Sequence, residues 1–252
     1  MLEHMAFRKN NTYKYETGKT FKLSRSGIDS FIKCQRCFYL NKVGNIKDIG
    51  MPGFSLNSAH DELMKKELDI YREKGEAHPY MESLERNLIP FQHENMEDWR
   101  NNFKGVTYHH EITDLIITGA IDDVWIDTDT NELVIVEYKS TSTQSEINLN
   151  DGTPWKEQYK RQIDIYQWLF KMNGFPVADD SVFLYSNGIK TSKKFNDVLK
   201  FKTYILEYKG STEWVEPKIL EIKKVLDQMS VPDLNDDCDT CSYVESVQTY
   251  NT

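Results

Sequence analysis

The stretch LIITGAIDDVWIDTDTNELVIVEYK, Leu115 to Lys139, decides how this 252-residue chain is read. Leu115 to Val124 is rich in β-formers, Asp127-Thr128-Asp129-Thr130-Asn131 is a cluster of turn residues, and Leu133 to Lys139 is β-rich again, a pattern that predicts a hairpin. Side chains alternate faces along a strand, so Leu133, Ile135, Glu137 and Lys139 share one face and Val134, Val136 and Tyr138 the other. A carboxylate and an ammonium at the end of an apolar strand are costly to bury without a task. Asp122 can face them from the paired strand. Two carboxylates make a hard oxygen site suited to Mg²⁺ or Mn²⁺, and a lysine beside them can hold a water and stabilise phosphate charge. The plainer alternative for Glu137 and Lys139 is an ion pair on a sheet edge or at the surface.

Working outward, Trp155 to Asn173 has helical periodicity through Tyr159, Ile163, Tyr166 and Phe170, with Gly174 and Pro176 as stop signals. Gln158, Gln162 and Tyr166 lie one turn apart on one side of that helix. Ser55 to Gly75 reads as a second helix, capped near Asn57 or Ser58. His60 precedes Leu63, Met64, Leu68 and Tyr71 at helical spacing and is expected on the inward face, as a packed residue or a ligand. The four cysteines form two pairs, Cys34-Gln35-Arg36-Cys37 and Cys238-Asp239-Thr240-Cys241. C-x₂-C spacing lets two thiolates chelate one metal, and two pairs make a tetrathiolate set. Two disulfides, or four unrelated thiols, are the alternatives. A metal shared by pairs about 200 residues apart would close a long loop and stabilise the fold.

Asp122 and Glu137-Tyr138-Lys139 resemble the D…E-x-K signature of the PD-(D/E)xK nuclease superfamily, with Ile121 where a proline is common. Gln162 and Tyr166 resemble the Q-x-x-x-Y motif of its RecB-like branch, and His60 stands where that branch carries a metal-binding histidine. The segment LSRSGIDSFIKCQRCFYL resembles the start of RecB-like nucleases with an iron–sulfur cluster, among them CRISPR-associated adaptation exonucleases and AddB-type nucleases. Those carry one cysteine near the N-terminus and three near the C-terminus, whereas the split here is two and two. The resemblance implies an α/β fold with a restriction-endonuclease-like core, a mixed central sheet flanked by helices and a four-cysteine metal site joining the termini. It implies Mg²⁺ or Mn²⁺ held by His60, Asp122, Glu137 and the Tyr138 carbonyl, with Lys139, Gln162 and Tyr166 completing the catalytic set. At Cys34, Cys37, Cys238 and Cys241 it implies a [4Fe–4S] cluster, with Zn²⁺ as the alternative. DNA that is single-stranded or has free ends is the implied substrate, with a helicase or a CRISPR-adaptation protein as partner. Two rivals are a catalytically inactive nucleic-acid-binding module and an interaction or redox protein organised by its cysteines.

Hydrophobic content of 39% with 12% aromatics fits a globular chain. Met1 to Met5 reads as a cloning remnant, and 6–252 as one domain: a helical region over about 24–104, a sheet core over about 108–208, and a C-terminal helix and cysteine pair over 215–243. Ser26 and Asp29 suggest a helix start before Cys34. Glu111 is a further candidate acid on a strand starting at Tyr108. Apolar runs fall short of membrane-spanning length and a secretory signal is lacking, so a cytoplasmic location without membrane association is expected. A net charge of −9 argues against nucleic acid, but residues 1–47 carry ten Lys/Arg against three Asp/Glu. Lys190, Lys193, Lys194, Lys200 and Lys202 form a second basic group. Phosphate contacts are expected from that group and from an N-terminal arm over 6–22, with Tyr13, Tyr15 and Phe195 as candidate base-stacking residues.

Overall fold

The computed structural model describes residues 12–15, 19–47 and 55–250. In chain order the elements are β1 (Phe21–Ser24), α1 (Arg25–Lys33), α2 (Gln35–Lys42), α3 (Ser55–Lys74), β2 (Leu88–Pro90), α4 (Met96–Arg100), β3 (Val106–His110) and β4 (Leu115–Gly119). They continue with β5 (Asp123–Asp127), β6 (Leu133–Thr141), α5 (Pro154–Met172), β7 (Asp180–Gly188), β8 (Phe201–Lys209), α6 (Val215–Asp227) and α7 (Asp239–Tyr250). The chain forms two compact units, one of Met1–Met51, His109–Ile117 and Glu216–Thr252, the other of Pro52–Tyr108 and Thr118–Val215. Residues 1–5 and most of the N-terminal arm lie outside the described residues.

The second unit is built on a five-stranded sheet in the order β2-β5-β6-β7-β8. It is mixed: β6 and β7 are parallel, and the other neighbours are antiparallel. The parallel pair requires a crossover, which α5 supplies. Because β6 is central, Glu137 and Lys139 are not an edge-strand pair. On one face Trp125, Val134, Val136, Tyr138, Val182 and Leu184 pack with Met64 and Leu68 of α3. Ile135, Glu137 and Lys139 point the other way, where Lys139 meets α5. Pro90 is tolerated in β2 because that strand is the sheet's edge. This short strand falls inside the region over about 24–104 that was expected to be helical.

The anticipated hairpin is β5–β6, with Asp123 opposite Val136 and Ile126 opposite Leu133. Leu115 to Val124 is not one strand, however. It breaks after Gly119, and β4 pairs with β1 in a separate sheet. Asp122 lies in that break, just ahead of β5. Glu111 falls in the exposed β3–β4 turn rather than on a strand, so it joins no cluster of acids. Leu63 is 64% exposed, so the inward stripe of α3 runs through Met64, Leu68 and Arg72 instead.

In the first unit Ser24, not Ser26, caps α1, accepting the Gly27 N–H at 3.1 Å. Cys34 is extended (φ −162°, ψ 111°), ends α1 and caps α2, so the chain bends at the first cysteine pair. Tyr13 is buried and bonded to Asp227 and Lys223, which removes it from the stacking candidates; Tyr15 and Phe195 are exposed. The helix α7 carries Cys241 and runs on to Tyr250, beyond the C-terminal helix and cysteine pair expected over 215–243.

One buried charge network in the second unit joins helices to sheet. The fully buried Asp123 carboxylate accepts Arg72 Nη2 at 2.5 Å, Arg100 Nη2 at 2.9 Å and the Tyr138 hydroxyl at 2.7 Å. Asp69 completes it, accepting from Arg72 Nε at 3.0 Å and Arg100 Nη1 at 2.8 Å. Asp123→Ala would leave two guanidinium groups short of their buried partner. Urea unfolding should show a loss of about 3–5 kcal/mol, and a loss under about 1 kcal/mol would show the network to be dispensable.

Candidate active site

Five groups named from the sequence come together in one cleft of 320 Å³: His60, Asp122, Glu137, Tyr138 and Lys139. Their positions follow from three local decisions of the chain. Alternation along β6 sends Glu137 and Lys139 to the α5 face. The break after Gly119 brings Asp122 alongside β6, where its Oδ2 accepts the Tyr138 N–H at 2.8 Å. The first turns of α3 bring His60 and Asp61 to the rim.

The glycine at the end of β4 is a packing requirement. A Cβ on Gly119 would stand 2.5 Å from Cε1 of Tyr166, so only glycine allows that ring to pass. The Tyr166 hydroxyl donates to the Ala120 carbonyl at 2.5 Å and accepts from Gln162 Nε2 at 2.9 Å. Gln162 Oε1 in turn accepts from Lys139 Nζ at 3.3 Å. Q-x-x-x-Y is therefore a tether from the strand break to the lysine. Gln158, one turn earlier, makes no such link among the described contacts.

Glu137 is almost wholly buried. Its Oε1 accepts from Lys139 Nζ at 2.5 Å, while Oε2 has no hydrogen-bond partner. Burial works against the Lys139 charge, but Glu137 and Asp122 outweigh it and hold its pKa above the usual lysine value. The ring of Tyr159 lies 4.2 Å from Nζ and adds a cation–π contact. Burial, then the neighbouring Glu137 charge, push Asp122 up to about 7. Burial lowers the pKa of His60, which favours the neutral imidazole that ligates metals.

These donors suit a hard divalent cation: two carboxylates, one with an orphaned buried oxygen, and a neutral imidazole at the rim. His60 lines the cleft but is not drawn into a tight set with the acids. Among the described residues the cysteines are the group whose ligand atoms lie within 4.8 Å of one another. Two groups escaped the sequence reading. Lys65 bridges Asp61 at 2.8 Å and Asp122 at 3.6 Å, and Tyr159 lies beside Lys139. The signal for Lys65 was present, since it and Asp61 are four residues apart on the His60 helix. Lys190, Lys193 and Lys194 lie outside the cleft, exposed on the segment joining β7 to β8.

In the first unit all four cysteines are free and gathered. Cys34 and Cys241 sulfurs are 3.6 Å apart, Cys37 and Cys238 3.7 Å, and Cys37 and Cys241 3.8 Å. Disulfide sulfurs would be bonded at about 2.0 Å. Four thiolates about 2.3 Å from one tetrahedral ion lie about 3.8 Å from each other. Burial raises the Cys34 and Cys37 thiols. It acts the same way on Cys238, but the Cys241 amide and the neighbouring thiols outweigh it and bring that thiol to about 7.

A family model described as the PD-(D/E)XK nuclease superfamily matches residues 55–246. Among solved structures, an alkaline exonuclease from Laribacter hongkongensis aligns at 12% identity with a TM-score of 0.39, over 92% of this chain and 95% of that one. A candidate exonuclease from Eubacterium rectale aligns at 16% identity with a TM-score of 0.43, over 95% and 93%. No curated protein matches the chain.

The raised Asp122 pKa has a measurable sign. With no cation bound, the folded state holds this proton more tightly than the unfolded chain, so this group's contribution to stability falls as pH rises from about 4 to about 7. A cation bound by Asp122 would have to displace that proton. The Mg²⁺-induced rise in Tm should therefore be larger at pH 8 than at pH 6, and vanish in Asp122→Asn. An equal rise at both pH values would exclude Asp122 as a ligand.

Proposed function

The chain belongs to the PD-(D/E)XK nuclease superfamily, and on that premise we propose that it is a Mg²⁺- or Mn²⁺-dependent nuclease that hydrolyses DNA, working as an exonuclease on single-stranded or end-containing strands. The observation that carries this reading is Glu137: a buried carboxylate on the central strand with one oxygen unpartnered, beside a second carboxylate and a charged lysine. Burying that oxygen without a partner is costly, and a cation removes the cost.

Asp122, Glu137, His60 and the Tyr138 carbonyl would hold the ion. When bound, it supplies charge stabilisation at the phosphoryl group and acidifies a water. Lys139, kept protonated by Glu137 and Asp122, orients the attacking water and stabilises the charge developing on the phosphoryl oxygens. Gln162 fixes the direction of Lys139, and Tyr166 fixes Gln162. The order of His60, Asp122, Glu137-x-Lys139 and Gln162-x-x-x-Tyr166 along the chain supports the RecB-like branch. With it comes a role in repair, recombination or CRISPR-type defence beside a helicase or adaptation protein. Four free thiols suit a reducing compartment such as the cytoplasm. No helix among the described residues is long and apolar enough to cross a membrane.

For the cysteines, the sulfur separations favour one shared tetrahedral ion, and hence Zn²⁺, over a [4Fe–4S] cluster. In a cluster each thiolate takes its own iron and the sulfurs stand wider apart. Purified protein should be colourless and hold one zinc per chain. Cys238→Ser should lose that metal and, by reopening a loop of 201 residues worth about 5 kcal/mol, lower Tm by more than about 10 °C. Brown protein with iron and labile sulfide would reverse the assignment.

End-labelled single-stranded DNA incubated with Mn²⁺ tests the nuclease reading. The wild type should cut it, EDTA should stop the reaction, and Asp122→Ala and Lys139→Ala should each cut about 10³-fold more slowly with the fold retained. Binding without metal-dependent cutting would favour a catalytically inactive module. A reversible electron-transfer signal without DNA affinity would favour a cysteine-centred redox protein.

A further inference from the structure

The cleft continues past its metal-type ligands. Where β6 runs on from Lys139 to Thr141, a recess of 280 Å³ opens between the start of α3 and the base of the β7–β8 hairpin. Asn57, His60 and Ser140 line both spaces, so the recess and the cleft are continuous. Its far wall is Leu199 and Phe201, 39% and 37% exposed, and Leu56 stands opposite. The Phe201 ring lies 5.2 Å from the His60 ring at a tilt of 49°, leaving an aromatic surface beside the candidate metal site. Exposed apolar side chains gathered next to a buried charged site mark a place where something binds.

The hairpin indicates what kind of ligand. Gly188 pairs with Phe201, and the Ile189 N–H donates to the Lys200 carbonyl at 2.8 Å, so β7 and β8 hold the Phe201 end in place. Asn196 and Asp197, both at positive φ, turn the chain at the tip. Between Ile189 and Lys202 stand five lysines and one aspartate, and all five lysines are exposed, on a chain whose net charge is −9. Lysines spaced around an aromatic and apolar wall match a strand of phosphates with unstacked bases.

We infer that this recess takes one unpaired nucleobase, stacked on Phe201, from a DNA strand whose neighbouring phosphate lies in the Asp122–Glu137 cleft. The inference rests on the nuclease reading of that cleft. Stacking on a phenyl ring tolerates any base, so the recess selects strandedness and not sequence. A base still paired in a duplex cannot enter. The preference for single strands or frayed ends thereby gains a physical cause. Lys190, Lys193 and Lys194 hold adjoining phosphates, which gives the binding a salt dependence.

The test is equilibrium binding of a fluorescent oligothymidylate to Lys139→Ala protein in Mg²⁺, which suppresses turnover. Phe201→Ala should weaken binding about tenfold, the effect of losing one stacked base, and Phe201→Trp should restore it. Moving a single abasic nucleotide along the oligonucleotide should reproduce that loss at one position, and add nothing at that position in Phe201→Ala protein. A blunt duplex of the same length should compete equally with and without Phe201. An unchanged Kd in Phe201→Ala, or an abasic scan with no coupled position, overturns the inference. Cleavage of the same oligonucleotide by wild type in Mn²⁺ is scored separately. Cutting with a flat abasic scan sinks the recess and leaves the nuclease. A coupled position without cutting sinks the catalytic reading and leaves the recess.

Discussion

The Asp123 carboxylate fixes the second unit. It has no access to solvent, yet it receives both Arg72 of α3 and Arg100 of α4, and it takes the Tyr138 hydroxyl from the strand beside it. Arg100 Nε also donates to the Asp122 carbonyl at 3.0 Å. One buried acid therefore sets the distance between two helices, the start of β5, and the middle of β6. Buried ion pairs are poor evidence for net stability, because desolvation consumes most of the Coulomb gain. What they impose is geometry. Tyr138 cannot slide along β6 without breaking its bond to Asp123. Its neighbours Glu137 and Lys139, which point to the opposite face, are then held in register with Asp122.

On that opposite face a second chain of contacts does the same for the lysine. Gly119 has to be glycine because the Tyr166 ring occupies the space of its side chain. The hydroxyl of that tyrosine anchors on Ala120 and supports Gln162, which supports Lys139. Residues 47 positions apart in the chain, Gly119 and Tyr166, thus behave as two halves of one contact.

Much of this was legible in the sequence, and the misses have identifiable causes. Period-two patterning showed β6 and the side on which Glu137 and Lys139 lie. The i, i+4 relation of Gln162 and Tyr166 survived because a helix fixes it locally. The break after Gly119 does have a local mark, since Gly119, Ala120, Asp122 and Asp123 are types depleted in strands, but the ring of Tyr166 that occupies the space beside Gly119 arrives only through tertiary packing. The edge strand β2 carries a proline, which local rules count against a strand. Tyr13 looked like a surface aromatic in a basic arm, and only the position of Asp227, 214 residues away, shows that it is buried. Lys65 looks like any solvated lysine on a charged helix, and nothing local announces Asp122 arriving from the break ahead of β5.

Charge balance in the cleft bears on how so acidic a chain could take the polyanionic substrate proposed for it. Asp61, Asp122 and Glu137 face Lys65 and Lys139, while burial favours neutral His60. With all three acids ionised this group is one charge negative and repels phosphate. A divalent cation makes it one charge positive. On the proposed reading such an ion would do more than assist chemistry: it would change the sign of the field that an approaching phosphate meets. Lys65 and the raised pKa of Asp122 each offset part of that negative charge. The chain's excess of acid thus need not exclude nucleic acid, because the relevant potential is set within a few ångströms by the cleft, its ion and the lysines of the β7–β8 hairpin, and distant surface charge is screened.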